Sequence, residues 1–333
     1  MKEKTTTLSY ISGIKAFMLL VIFLAHAGVQ FNQISQRACD FLFVFSGYLL
    51  SYKYFNSYEN IKVIPYIKNK LVRFYPLHFI GCIICLISFK EYNQFYSSLK
   101  SGFLSLGLNL TLLQSWYGDP YSFNSVSWFL SCLIGVYLVA PFVLRLLKKV
   151  KTTKIYVLIL IIVWIARFFL EYYNGTIYNI NIYHFPVFSI FTSIGGMIIY
   201  PLSKNIKGNY IINSILEIGL LAIIVWLAYA HVDDVYISIQ VLFIWITSFI
   251  FVLNNDIISS IMSAKIWNII SKLQMEFYLI HQIIIRFLVK IELGDRLIFL
   301  IILSFLITYV LSVLYNTFLK KRLERIMCKI LNV

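Results

Sequence analysis

The sequence is poor in charged residues, and acidic residues are the scarcest of these. Asp, Glu, Lys and Arg make up 13% of its 333 residues, against about a quarter of a typical soluble domain. Hydrophobic residues make up 60%, and the mean hydropathy is +0.81. A soluble globule of this composition would lack the polar surface to cover itself, and a disordered chain requires low hydrophobicity. We therefore expect an integral membrane protein.

Cysteine and histidine are also scarce, with five residues of each. Cys82 and Cys85 form a C-x-x-C pair, but a zinc site needs further ligands at suitable spacing, and the neighbouring sequence does not supply a full set. We interpret the pair as small apolar side chains in a membrane helix and expect no metal. The first apolar run lacks a small-residue cleavage site, so we expect a span there and not a cleaved signal.

Long apolar runs fill the chain from end to end. A membrane-spanning helix needs about 20 mostly apolar residues, and about ten such runs occur. Their approximate bounds are 11–29, 38–54, 75–89, 126–147, 155–173, 184–202, 211–230, 236–253, 269–289 and 296–318. The connections are short and no internal repeat is visible. The predicted fold class is an all-α integral membrane protein, with one transmembrane domain over 1–333 and no separate soluble domain.

The basic excess is distributed unevenly along the chain. There are 29 Lys and Arg residues against 14 Asp and Glu, a formal net charge of +15. Most basic residues fall at the two termini and in the connections after the second, fourth, sixth and eighth runs. The opposite connections hold Arg37, Lys90, Lys100, Lys290 and Arg296. Because cytoplasmic loops carry the Lys and Arg excess, we expect both termini in the cytoplasm, and we do not expect nucleic-acid binding.

Two ionisable residues lie in the first apolar run. Lys15 and His26 are separated by ten residues, which places them on one face of a helix, roughly 16 Å apart along its axis. On the predicted topology Lys15 lies near the cytoplasmic boundary and His26 in the outer half. Charges inside spans tend to mark functional sites, and imidazole is the usual general base near neutral pH. The alternatives are a snorkelling lysine and a histidine hydrogen-bonded to a neighbouring helix.

Five ordered motifs resemble the integral-membrane acyltransferase family often called acyltransferase 3. The stretch 12–28 is similar to the family's first span, with Lys15-x10-His26 at the place of an arginine, ten residues and a histidine. The other matches are DFLFVFSGYLL (40–50), the basic KLVRFYP (70–76), SWFLSCLIGVYLVAP (127–141) and SKLQMEFYLIHQ (271–282). Because the matches are spread over most of the chain, it is identified as a member.

The sequence departs from the family pattern at three points. Lys15 stands where the family has arginine, so the charge is kept but the bidentate fork is lost. The glutamate of the fourth motif is missing near Leu133. Glu276 is an acid where many members have a small residue, and it is a candidate to compensate for that loss.

The resemblance implies transfer of an acyl group, usually acetyl, from cytoplasmic acyl-coenzyme A, so acetyl-CoA is the expected donor. Coenzyme A is polyanionic, and its phosphates need cations on the cytoplasmic face. Lys15, Lys70 and Arg73 are the candidate cofactor-binding residues, because charge-assisted contacts to phosphate are strong. For Lys70 and Arg73 the alternative is that they only set the topology.

Catalytic roles follow from the same resemblance. His26 would act as general base on the acceptor hydroxyl. Asp40 would orient the imidazole, or would simply cap a helix. His281 would donate to the thioester oxygen, or would only join two helices. Ser46 is a formal nucleophile, but a Ser-Gly pair more readily permits close helix packing.

The expected acceptor is a hydroxyl of a cell-surface or lipid-linked glycan, at the bacterial cytoplasmic (inner) membrane. Trp116 and Trp128 would stack on sugar rings, or would belong to an interfacial aromatic belt. Arg167 and His184 would line the acceptor cleft. The rival interpretations are a polytopic transporter or translocator of a glycan or lipid-linked substrate, and a membrane sensor without catalysis. Transporters often carry inverted repeats, and the sequence has none that is visible.

Overall fold

The computed structural model describes residues 2–89, 97–174, 181, 183–204, 206–230 and 235–333. Within these ranges the chain is helical and contains no strand. Of the basic residues used to predict the orientation, Lys90 lies outside the described residues. The helices are α1 (Lys2–His26), α2 (Ile34–Tyr54), α3 (Val63–Ser88), α4 (Leu99–Leu110), α5 (Gln114–Tyr117), α6 (Trp128–Lys148), α7 (Thr153–Tyr173), α8 (Pro186–Ser203), α9 (Tyr210–Ala230), α10 (Val235–Leu253), α11 (Ile257–Met262), α12 (Lys265–Ser271), α13 (Gln274–Lys290), α14 (Leu297–Leu314) and α15 (Lys320–Leu331).

Seven of the described helical segments are long and apolar enough to cross a membrane, and an eighth apolar helix, Ile237–Leu253, is shorter. The predicted all-α membrane fold is therefore confirmed. Helices α2 and α13 match predicted spans but are not among the seven. Helix α2 carries three charged residues, and α13 is 17 residues long. The number of ten spans and the side on which the termini lie stay predictions.

Helix α3 begins well before the apolar run that predicts it. It starts at Val63, whereas the run starts at residue 75, so Lys70 and Arg73 lie on a helix and not in a loop. Lysine and arginine are good helix formers, and an apolar window cannot detect the polar turns of a helix. A similar continuation occurs at the other end of the chain. There α14 passes through a π-helical turn, Tyr315–Leu319, into α15.

The chain forms two compact units. The first consists of Met1–Ile22, Phe31–Ile61 and Val136–Lys272, and its centre is the contact between α2 and α8. A Cβ atom built on Gly47 would lie 1.9 Å from the carbonyl oxygen of Ser193, and one on Gly196 would lie 1.9 Å from that of Val44. The two backbones therefore touch, which is how small residues join helices in membranes.

The neighbouring glycine of α8 accommodates α10 in the same way. The indole ring of Trp245 lies directly over Gly195, and its Nε1–H donates to the carbonyl oxygen of Thr192 at 3.1 Å. On α2, the Ser46 hydroxyl donates to the carbonyl oxygen of Leu42 at 2.7 Å. This bond occupies the Ser46 hydroxyl and agrees with a packing role for the Ser-Gly pair.

The second unit consists of Phe23–Gln30, Lys62–Gly135 and Leu273–Val333. Phe23, in the last turns of α1, packs edge-to-face on Phe277 of α13 and Phe305 of α14, with ring centroids 5.5 and 5.8 Å away. The segment before α6 is hydrogen-bonded to α13. Asn124 Nδ2 donates to the carbonyl oxygen of Leu279 at 2.8 Å, and the Tyr278 hydroxyl donates to that of Val126 at 2.9 Å. These contacts fix α13 beside the end of α1.

Gly196→Ala should destabilise the protein, because even one methyl group must push α2 and α8 apart. We expect the free energy of unfolding to fall by about 1–3 kcal/mol, the usual cost of overpacking. The matched control is Gly219→Ala on α9, where an added Cβ meets nothing within 4 Å. Thermal unfolding in detergent measures both variants. Equal melting temperatures for the two would contradict the described packing.

Candidate functional site

His26 lies in the last turn of α1, where a glycine ends the helix. The N–H of Val29 donates to the carbonyl oxygen of Leu24 at 3.0 Å, and that of Gly28 donates to Ala25 at 3.1 Å. Gly28 has a φ of 105°. This is a Schellman cap, which favours glycine at the left-handed position. Sequence reasoning missed the cap, although a glycine after an apolar helical run signals a helix end.

The cap has an electrostatic consequence for His26. The last carbonyl groups of a helix carry a partial negative charge that favours a cation nearby, typically by 0.3–1 kcal/mol. The helix end therefore contributes favourably to a positive charge on an imidazole in this turn.

His26 contacts His281, which lies on α13. His26 Nδ1 is 2.9 Å from His281 Nε2, and the two rings stack with an interplanar angle of 13° and centroids 5.1 Å apart. His281 is fully buried, and its Nδ1 is 3.2 Å from the carbonyl oxygen of Phe277. The structure thus brings together two residues that the sequence analysis selected separately.

This chain of hydrogen bonds assigns the tautomers of both neutral rings. A carbonyl oxygen only accepts, so His281 Nδ1 carries a hydrogen and donates it to Phe277. His281 Nε2 is then an acceptor, and His26 Nδ1 must be the donor to it. His26 Nε2 is left without a hydrogen and keeps its lone pair. In this arrangement His26 Nε2 is able to accept a proton, and His281 accepts the hydrogen bond that orients the His26 ring.

A cavity of about 370 Å³ opens beside His26. His26, an exposed residue, is part of its wall. The other lining residues are Phe89, Gln282, Ile285, Arg286, Val289 and Lys290. Sequence reasoning placed none of these six among its site residues, although five of them lie on α13 close to His281. An acceptor hydroxyl in this cavity could reach the imidazole of His26.

Glu276 is buried on α13 and forms an ion pair with Lys320, with Glu276 Oε1 2.7 Å from Lys320 Nζ. Glu276 and His281 are five positions apart, about 7.5 Å along the helix. Its carboxylate joins α13 to the start of α15, a contact between residues 44 positions apart. The catalytic role suggested for Glu276 stays a prediction.

The three candidate cofactor-binding cations lie on two helices. Lys15 is half-buried on α1. Lys70 is half-buried on α3, and its Nζ lies 5.3 Å from the centre of the Tyr66 ring. Arg73 is exposed one turn further along α3. Residues three apart on a helix are neighbours, so Lys70 and Arg73 can bind the same anion.

Asp40 and Arg167 are both buried in the first unit, each in an ion pair on its own helix. Asp40 Oδ2 is 3.3 Å from Arg37 Nη1, and Arg167 Nη2 is 2.6 Å from Glu171 Oε1. Arg167 Nη1 also donates to the carbonyl oxygen of Phe188 at 2.7 Å. The i,i+3 spacing of Arg37 and Asp40 was a signal for their pairing that sequence reasoning did not use. The orienting role of Asp40 toward His26 stays a prediction.

The remaining candidates from the sequence are His184, Trp128 and Trp116, and each contacts residues close to it in the chain. His184 is buried, with Nδ1 3.1 Å from Asn181 Oδ1. Trp128 is 5% exposed and packs edge-to-face on Phe129, whereas Trp116 is half-buried in α5. Their roles toward a sugar stay predictions.

Comparison with known proteins gives one related sequence and one family. Acyltransferase MdmB from Streptomyces mycarofaciens is 24% identical over 175 residues, which cover 47% of this chain and 44% of that protein. The chain is thus aligned with less than half the length of this relative. No solved structure matches significantly. The family model described as an acyltransferase domain, acyltransferase 3, matches residues 8–327. Because that match covers nearly the whole chain, the protein belongs to the acyltransferase 3 family.

Proposed function

We propose that the protein is a membrane O-acyltransferase. It moves an acyl group, in the first place acetyl, from cytoplasmic acyl-coenzyme A to a hydroxyl of a cell-surface or lipid-linked glycan. The observation that carries the proposal is the His26–His281 pair at the wall of a cavity. Membership of the family supports acyl transfer, and the tautomer of His26 supports its role as the base.

The acceptor hydroxyl binds to His26 Nε2, and its oxygen attacks the thioester carbonyl carbon. His26 takes the hydroxyl proton as the new C–O bond forms. The C–S bond then breaks, and coenzyme A leaves as a thiolate that receives this proton from the imidazolium. An imidazole base contributes about 10²–10⁴-fold to such a step.

His281 is a positioning residue in this mechanism. Its Nε2 accepts from His26 Nδ1–H, while its own Nδ1–H is held by the carbonyl oxygen of Phe277. The Nδ1 side of the His26 ring is thereby fixed against His281, and His26 is part of the cavity wall. When His26 becomes an imidazolium, His281 still accepts the Nδ1–H bond, and the end of α1 stabilises the positive charge.

On the donor side, Lys15, Lys70 and Arg73 bind the phosphates of coenzyme A from the cytoplasm. The thin pantetheine arm then follows α1 toward His26. Helix α1 is continuous from Lys2 to His26, which supports a common direction for the cation and the base. The side of the membrane rests on the distribution of Lys and Arg among the connections.

His26→Ala should lower the rate of acyl transfer by about 10²–10⁴-fold while the protein remains folded. His26→Gln should be equally slow, because an amide is not a base. The measurement is transfer of label from acetyl-coenzyme A in purified membranes, with size-exclusion profiles to check folding. Gln30→Ala, an exposed change just beyond the helix, is the control. A His26→Ala enzyme with nearly wild-type activity would overturn the base assignment.

Lys15→Ala should weaken acyl-coenzyme A binding more than acceptor binding. Loss of one charge-assisted contact corresponds to about a tenfold higher KM for the donor. Lys15→Arg keeps the charge and should retain most activity. Initial rates with each substrate varied in turn give both KM values. An equal rise in the two KM values would contradict a donor-side role.

A further inference from the structure

The cavity beside His26 carries two cations that the reaction itself does not require. Arg286 and Lys290 both line it, and they lie four residues apart on α13, so they are neighbours on one helix face. No carboxylate is among the described residues of its lining. The wall around the base is therefore positively charged.

Both cations have contacts that direct them. An Arg286 Nη1–H donates to the carbonyl oxygen of Phe123. Lys290 Nζ donates to the carbonyl oxygen of Ser88 at 2.8 Å and lies 5.7 Å from the centre of the Phe89 ring. Phe89 also lines the cavity. These contacts hold both positive charges at the wall of the cavity.

The position of these cations runs against the charge bias of the whole chain. On the predicted topology the end of α13 lies on the outer side, where basic residues are disfavoured. Lys290 is one of few basic residues assigned to that side. The phosphates of coenzyme A are assigned to the opposite face, so they do not account for Arg286 and Lys290. An anion bound on the outer side would account for them.

We infer that the acceptor is anionic, and that Arg286 and Lys290 bind a carboxylate or phosphate group close to the hydroxyl that is acylated. This inference rests on the proposed acyl transfer and narrows its acceptor to an acidic glycan or a glycan on a pyrophosphate carrier. The planar guanidinium suits either oxyanion, and contacts between a cation and such a group are the strong kind. Gln282, on the same wall, offers an amide to the sugar.

The charge of the labelled product tests the inference directly. Membranes of the source organism, with and without the gene, are supplied with labelled acetyl-coenzyme A, and the product is separated on an anion-exchange resin. We expect gene-dependent label in the retained fraction. Mild acid then cleaves any pyrophosphate carrier. A product that stays retained carries its charge on the glycan, and one that becomes neutral carried it on the carrier. Label in a neutral product before acid treatment would overturn the inference, whereas absence of gene-dependent label would overturn the proposed function instead.

Lys290→Gln provides a second, independent test. At low concentrations of extracted acceptor we expect the rate to fall about tenfold, with the KM for acetyl-coenzyme A unchanged. Lys290→Arg keeps the charge and should retain most of the wild-type rate. Lys100→Gln, which removes an exposed charge on α4, is the control. If Lys290 only stabilised the end of α13, Lys290→Gln would lower the melting temperature and leave the concentration dependence unchanged, and the inference would fail.

Discussion

A bilayer has no water to solvate a buried charge or an unpaired polar group, so the protein must supply every partner itself. Several buried charges in the described residues meet this constraint by pairing with another side chain. The cation–anion pairs are Arg37–Asp40, Arg167–Glu171 and Lys320–Glu276. The His26–His281 pair differs from them, since both partners are bases and neither has to be charged. It satisfies both nitrogens of His281 and Nδ1 of His26, and it leaves Nε2 of His26 with its lone pair.

The ion pairs and the histidine pair therefore differ in what they can do. Ion pairs such as Arg167–Glu171 neutralise both charges within one helix, and removing one partner would leave a buried charge unpaired. A neutral histidine pair keeps one lone pair available and can take up a proton without losing its internal hydrogen bond. The Schellman cap at Gly28 and the phenylalanines around Phe23 fix where this pair lies. His26 is therefore held by the end of a helix.

Much of the fold could be predicted from the sequence, because apolar runs report helices in a membrane directly. The family could also be predicted, since its motifs are local and ordered. Contacts between distant residues could not. His26 and His281 are 255 positions apart, and Glu276 and Lys320 are 44 apart, so only the packing of α1, α13 and α15 brings them together. The early start of α3 was missed because hydropathy does not detect polar helical turns.

In the proposed mechanism His26 and His281 act as one unit, and a double-mutant cycle measures whether they do. Single-turnover transfer from labelled acetyl-coenzyme A is measured for the wild type, His26→Ala, His281→Ala and the double variant. Groups that act as a unit are strongly non-additive. We therefore predict that the double variant is no slower than His26→Ala alone. A double variant in which the two single losses multiply would show that the histidines act independently and would contradict the account.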